Sequence, residues 1–148
     1  DNIRMTVLST GNVGIGTTAP TERLEVLGNI KASGAVTQGS SREIKKNISY
    51  ISTQDAMEAL ECVNPVRFEY KADASGEEHL GFIAENVPEL VAEQDRKHLN
   101  SMDLTAVLTK VLQEQQRMLQ EQQGAMKAMA RKIERLESAV NKSHGKGL

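Results

Sequence analysis

Two serines and two lysines stand together in Ser40-Ser41-Arg42-Glu43-Ile44-Lys45-Lys46-Asn47-Ile48. A serine hydroxyl is a weak nucleophile until a base takes its proton, and a neutral lysine amine can be that base. The stretch therefore holds the parts of a Ser-Lys pair able to attack a peptide carbonyl. Spacing by itself leaves the serine open. In a helix, residues four apart share a face, which pairs Ser41 with Lys45. In a strand, residues an even number apart share a face, which pairs the same two. Ser40 meets Lys45 only if the chain bends or bulges between them.

Other chemistry is sparse. His79 could be a polar partner of such a pair, but its setting fits better a residue lining a strand or capping a hairpin. His98 and His144 read as surface residues. Cys62, the single cysteine, falls in an apolar helical pattern and is expected to be a small core residue. No His/Cys/Asp spacing suggests a metal, and no cofactor is expected. Gly14-x-Gly16 lacks the strand-turn-helix context of a nucleotide loop. The net charge of -2 and 3% aromatic residues argue against nucleic acid. The sequence shows no signal peptide and no long apolar run, so no membrane partner is expected. The chain begins at Asp1 without an initiator Met and reads as the C-terminal piece of something larger.

The candidate pair sits at a seam between different kinds of sequence. Residues 1–39 hold six of the 11 glycines and alternate apolar residues. Short strands are expected at Arg4–Ser9, Asn12–Ile15, Arg23–Leu27 and Asn29–Ala32, with a turn at Thr18-Ala19-Pro20-Thr21. Strands this short cannot bury both faces alone. Several chains wound together could, with Val13, Ile15, Leu24, Val26 and Ile30 facing a shared axis. Oligomerisation is also the usual remedy for a chain so poor in large side chains.

The segment after the seam is compact. Ile48–Ile51 reads as a short strand or extended stretch. A helix is expected from an N-cap at Thr53 to about Val63, with Ala56, Met57, Leu60 and Val63 on one face. Asn64-Pro65 ends it. Val66, Phe68 and Tyr70 alternate with Arg67 and Glu69 as a half-buried strand. Lys71–Glu78 is a hairpin loop and His79–Ile83 the returning strand. Ala84–Val87 is a helical turn stopped by Pro88, and Glu89–Leu99 a small turn or strand element.

Asp103 is a candidate N-cap for a long helix over residues 104 to about 142. Leu104, Leu108, Val111, Gln115, Met118 and Gln122 follow a heptad spacing, which Met126, Met129, Ile133, Leu136 and Val140 resume after a stutter. That pattern predicts a coiled coil. Asn141–Leu148 is expected to fray.

Gly11-Asn12-Val13-Gly14-Ile15-Gly16-Thr17-Thr18-Ala19-Pro20, followed by Leu24-Glu25-Val26-Leu27-Gly28-Asn29-Ile30, resembles the repeats that end the trimeric β-stems of phage tail fibres. The seam resembles the Ser-x-x-x-[Ile/Leu]-Lys-x-Asn-Ile signature of the endosialidase-type intramolecular chaperones, found at the C-terminus of trimeric phage tail spikes and fibres. Ser41 stands where that family usually has Asp, and Glu43 where Arg is common. Asn64-Pro65-Val66-Arg67-Phe68-Glu69-Tyr70, His79-Leu80-Gly81-Phe82-Ile83-Ala84-Glu85-Asn86-Val87 and Ser101-Met102-Asp103-Leu104 are similar to later family segments, in the same order.

The resemblance implies Ser40 as nucleophile and Lys45 as base, with Ser41 the alternative nucleophile. It implies a self-cleaving serine endopeptidase that cuts at Gly39–Ser40 by an N-to-O acyl shift, or one bond later. The implied fold is α+β: an intertwined trimeric β-stem over residues 1–39, a small α+β chaperone head over 40–103, and a coiled-coil helix with a frayed tail over 104–148. The implied partners are two further copies of the chain and the upstream fibre or spike domain of the same chain. The implied setting is a virion tail fibre or spike assembled in the host bacterial cytoplasm, from which the cleaved chaperone is released.

Overall fold

The computed structural model describes residues 4–71 and 75–144. The chain is α+β and divides into two units, Asp1–Ile48 and Ser49–Leu148.

The first unit carries a three-stranded sheet of β1 (Met5–Val7), β2 (Val13–Ile15) and β3 (Leu24–Val26), in the order β1-β2-β3. β1 and β2 are antiparallel and joined by a tight turn, in which Leu8 N–H donates to Asn12 O and Gly11 N–H to Leu8 O, both at 2.9 Å. Gly11 has φ 86°, a conformation glycine enters without steric cost. β2 and β3 are parallel. Asn12 Nδ2 ties down the connection between them by donating to Pro20 O at 3.2 Å. Gly14 is buried beneath this connection; a Cβ there would fall 2.5 Å from Thr17 O.

Three of the four expected strands form, each shorter than its alternating run. The fourth, Asn29–Ala32, does not: residues 29–32 are irregular and Ile30 is 72% exposed. Among the described residues no neighbouring strand offers these residues a ladder, so alternation alone does not make them a strand. Of the short strand or extended stretch expected at Ile48–Ile51, the strand does not form.

The second unit opens on α1 (Thr53–Cys62). Its N-cap is Ser52, one residue earlier than expected: Ser52 Oγ accepts from Asp55 N–H at 3.0 Å. This leaves Thr53 inside the first turn, where Asp55 also places its carboxylate at the positive end of the helix dipole. A two-stranded antiparallel sheet follows, β4 (Val66–Glu69) and β5 (Glu78–Gly81), with Phe68 opposite His79. The returning strand is shifted towards its start and Tyr70 lies outside the ladder. The loop expected between them falls partly outside the described residues. A 3-10 turn at Ala84–Asn86 ends ahead of Pro88, and Ala92 bridges Leu99 in the following loop.

The last element is α2 (Ser101–His144), 44 residues long. Asn100, not Asp103, serves its start: Asn100 Oδ1 accepts from Met102 N–H at 2.9 Å, and Asn100 O accepts from Asp103 N–H at 3.1 Å. Asp103 instead lies in the first turn. The helix runs past the expected fraying point at Asn141 as far as His144; residues 145–148 lie outside the described residues. Gly124 is helical with no heavy atom within 4 Å of where a Cβ would sit. Gly124→Ala is therefore expected to stabilise α2 by about 1 kcal/mol, read as a rise in thermal midpoint by circular dichroism.

The core lies between the two helices. Ala56 and Ala59 of α1 and Val63 at its C-cap pack with Val87, Val91, Val107 and Val111, flanked by Ile51, Leu60, Phe82 and Leu104. Two sequence expectations fail here for one reason, the angular position of a side chain on its helix. Met57 is 38% exposed and Cys62 is exposed, while Ala59 is buried. At 3.6 residues per turn, Cys62 lies about 120° around the axis from Ala56, off the buried stripe. On α2, Val107 and Val111 lie in this core, while Leu108, expected on the coiled-coil seam, is 45% exposed. From residue 115 to 142 every side chain of α2 is exposed. Among the described residues no helix is long and apolar enough to cross a membrane.

Candidate functional site

The seam residues lie in the first unit, and the local backbone decides which of them meet. Ser41 is extended, with φ -62° and ψ 145°, and caps a 3-10 turn at Arg42–Ile44. Its Oγ accepts from Glu43 N–H at 3.2 Å. Lys45 closes the turn with φ -114° and ψ 145°, its N–H donating to Arg42 O at 3.2 Å. A turn between two extended residues is the bend that a five-residue separation requires. It brings Lys45 Nζ to 2.7 Å from Ser40 Oγ, to which it donates a hydrogen bond.

Ser41 is thereby drawn away from Lys45. Helix or strand spacing would pair the two, but the 3-10 turn is neither, and Ser41 spends its hydroxyl on capping. Ser and Asp are both favoured caps because a short side-chain oxygen reaches the free N–H groups of the next turn.

Asn47 holds the exit from the site. Its φ is 53°, in the left-handed region that asparagine tolerates better than most residues. A β-branched side chain there costs about 1–2 kcal/mol. Asn47→Val is expected to slow any reaction that depends on this turn by about tenfold, while Asn47→Gly keeps the wild-type rate; appearance of product by mass spectrometry separates the two.

Ser40 and Lys45 are both exposed. A Ser-Lys pair performs base catalysis only as the neutral amine, with the hydroxyl proton pointing to Nζ. The 2.7 Å separation suits the contact in either direction. Removal of water from around an amine favours its neutral form.

The other sequence candidates lie in the second unit. His79 is half-buried on β5, with its ring centroid 5.8 Å from that of Phe68 and 5.2 Å from that of Tyr70. Its Nε2 is buried without a hydrogen-bond partner among the described residues. This is the strand-lining position its sequence context favoured. His98 is exposed and pairs through Nδ1 with Asp95 Oδ2 at 2.5 Å. Backbone N–H donation from Lys97 and the His98 contact hold the Asp95 carboxyl below the usual carboxylate range. The His144 side chain lies outside the described residues. An open cleft of about 420 Å³, lined by Val63, Phe68, Tyr70, Leu80, Val91 and Leu104 among others, has no Asp, Glu, Lys, Arg, His or Cys among its described lining residues. Nothing there could take or give a proton near neutral pH.

Residues 40–96 match the family described as the chaperone of endosialidase. The match supports an endosialidase-type chaperone domain over this segment. The match opens at Ser40 and crosses the boundary between the two units at Ile48. The matched residues thus include the Ser40–Lys45 turn, α1, the β4–β5 hairpin and the loop up to Arg96, while α2 follows them. The family is named as a peptidase as well as a chaperone. The role it supports for this chain is that of an intramolecular chaperone. Sequence reasoning from spacing missed the capping task of Ser41. A Ser followed two residues later by a carboxylate ahead of an apolar residue is a cap-like signal that could have suggested it.

Proposed function

We propose that this chain is the C-terminal assembly clamp of a trimeric phage tail fibre or spike, which cuts itself free between Gly39 and Ser40 once the fibre has folded. The observation that carries the reading is the 2.7 Å contact between Lys45 Nζ and Ser40 Oγ, made by a turn at the first residue of the chaperone domain.

The reaction begins with neutral Lys45. Its amine takes the Ser40 hydroxyl proton while Oγ attacks the carbonyl carbon of Gly39. The tetrahedral intermediate collapses with cleavage of the Gly39–Ser40 C–N bond. The departing Ser40 amine takes the proton from Lys45, which leaves an ester between Gly39 and Ser40 Oγ. Water hydrolyses that ester to a Gly39 carboxylate and a restored Ser40 hydroxyl. The required desolvation of Lys45 comes from the neighbouring chains, which ties the cut to assembly and keeps the single chain inert.

Trimerisation draws support from α2. Met126, Met129, Ile133, Leu136 and Val140 recur at heptad spacing and are 50–66% exposed in the single chain. The exposed apolar residues of the short β-strands, such as Leu24 at 59%, fit the same need for partner chains. Winding three stems in register has high contact order and a large entropy cost before contacts reward it. A clamp that holds three chains together lowers that cost, and its removal leaves the stem kinetically trapped. The test is intact-mass spectrometry of the folded protein together with light scattering. Two fragments meeting at Gly39–Ser40 and a trimeric mass are expected. A single uncut species that is trimeric would instead favour a permanent trimerisation and receptor-binding tip.

A further inference from the structure

We infer that Ile44 is a positioning residue that gauges the residue ahead of Ser40 and restricts the cut to a bond preceded by glycine. The inference rests on the reading of Ser40 and Lys45 as a cleavage pair.

Gly39 supplies the carbonyl that Ser40 attacks. A Cβ built on Gly39 would fall 3.1 Å from Ile44 Cδ1, and no other atom beyond its chain neighbours lies within 4 Å of it among the described residues. At that distance Ile44 must give by a few tenths of an ångström to admit a methyl group, and by more for a branched side chain. The backbone at Gly39 is not in the left-handed region, unlike that at Gly11, Gly16, Gly28 and Gly76. Glycine is therefore not needed at position 39 for conformational freedom. What the site demands is space, and Ile44 alone limits it.

Ile44 is held there by the turn that makes the cleavage pair. It is the last residue of the 3-10 turn, and its N–H donates to Ser41 O at 3.3 Å. It is 68% exposed and belongs to no part of the hydrophobic core. One short turn thus lays the amine of Lys45 on the nucleophile and a methyl group against the residue that carries the target carbonyl. A larger side chain at position 39 presses on Ile44. Ile44 and Lys45 are adjacent, so that pressure moves Nζ relative to Oγ. Proton transfer tolerates only a heavy-atom separation of about 2.6–3.2 Å, and a misplacement of about 1 Å costs about 100-fold in rate.

The experiment follows the rate and position of cleavage by intact mass in Gly39→Val, Ile44→Ala and the double variant. Circular dichroism and light scattering check that each variant keeps the wild-type fold and assembly. Gly39→Val is expected to cut about 100-fold more slowly than wild type. The double variant is expected to regain at least about tenfold of that loss, because removing Cδ1 removes the obstacle. Ile44→Ala alone cuts at Gly39–Ser40. Should Gly39→Val fail to assemble, the same comparison is made with Gly39→Ala, whose milder slowing should vanish in combination with Ile44→Ala. A Gly39→Val rate equal to wild type overturns the gauge, as does a double variant no faster than Gly39→Val. Both results leave the cleavage pair standing if Ser40→Ala is uncut. A wild-type chain that is never cut, or a Ser40→Ala chain that is, removes the cleavage pair and the gauge with it.

Discussion

Ser40→Ala is expected to leave the folded protein as one species of 148 residues under conditions in which the wild-type chain yields two fragments. The substitution removes the hydroxyl that Lys45 Nζ contacts, Ser40 Oγ at 2.7 Å. Ser41 is a poor substitute, because its Oγ caps the turn against Glu43 N–H at 3.2 Å and would have to abandon that contact. Lys45→Ala removes the base and should slow the cut by about 10²–10⁴-fold, the usual contribution of a positioned base. Lys45→Arg is the sharper variant. It keeps the positive charge and much of the side-chain length, but a guanidinium does not give up its proton in proteins. If the lysine acts as a base, Arg should be as inactive as Ala. If it acts only as a cation that orients the turn, Arg should retain most of the rate. Both alanine variants should still form the wild-type oligomer, since Ser40 and Lys45 are exposed and outside the core. Two halves appearing from Ser40→Ala would sink the assignment of the nucleophile.

Val107→Asp should abolish the cooperative melt of the second unit. Val107 is 1% exposed and is the largest fully buried side chain, set among Ala56, Ala59, Val63, Val87, Val91 and Val111. No buried polar or charged residue is present among the described residues to pair a carboxylate there. An unpaired buried charge costs several kcal/mol, against a total stability for a small domain of about 5–15 kcal/mol. The margin is thin here because the buried cluster is built from alanine and valine alone. Val107→Ala deletes two methyl groups and should cost about 2 kcal/mol, from about 0.8 kcal/mol for each group plus the cavity left behind. Thermal melts followed by circular dichroism distinguish the three proteins. Leu108→Asp, one position along α2 at a 45% exposed site, serves as the control and should leave the intrachain packing of the second unit close to wild type. A Val107→Asp protein that melts like wild type would show that α1 and α2 do not pack through this residue. If the clamp must fold before the cut, Val107→Asp should also stop cleavage without touching the Ser-Lys pair.

The two outcomes bear on different links of the same chain of cause. Ser40 and Lys45 test the chemistry while leaving the clamp intact. Val107 tests the clamp while leaving the chemistry intact. A cut that survives Val107→Asp would separate self-cleavage from folding and would argue against the clamp's control over it.

What the sequence determined by itself is what depends on neighbours a few residues away. The helical period of α2 extends over many turns, so its identity as a long helix was legible before any contact was known. Asn64-Pro65 marked the end of α1, since proline excludes helical geometry for the residue before it. The alternation in Val66–Glu69 marked β4, because a half-buried strand must show two faces. The composition of the seam disclosed the candidate serines and lysines, and the ordered resemblance chose Ser40 over Ser41.

What only the tertiary structure decided is what depends on angle or on a partner distant in sequence. The 3-10 turn at Arg42–Ile44 is one short bend with no periodic signal, yet it places Ser40 rather than Ser41 beside Lys45. On α2, Val107 and Leu108 both belong to plausible apolar stripes, and a one-residue step is about 100° around the axis. Only the position of α1 selects Val107 for burial. The same angular reason puts Ala59 inside and leaves Met57 and Cys62 out. Residues 29–32 alternate like a strand but find no ladder, because pairing requires a second backbone and alternation does not supply one. Spacing proposed what could meet, and the fold's turns and helix angles determined what does.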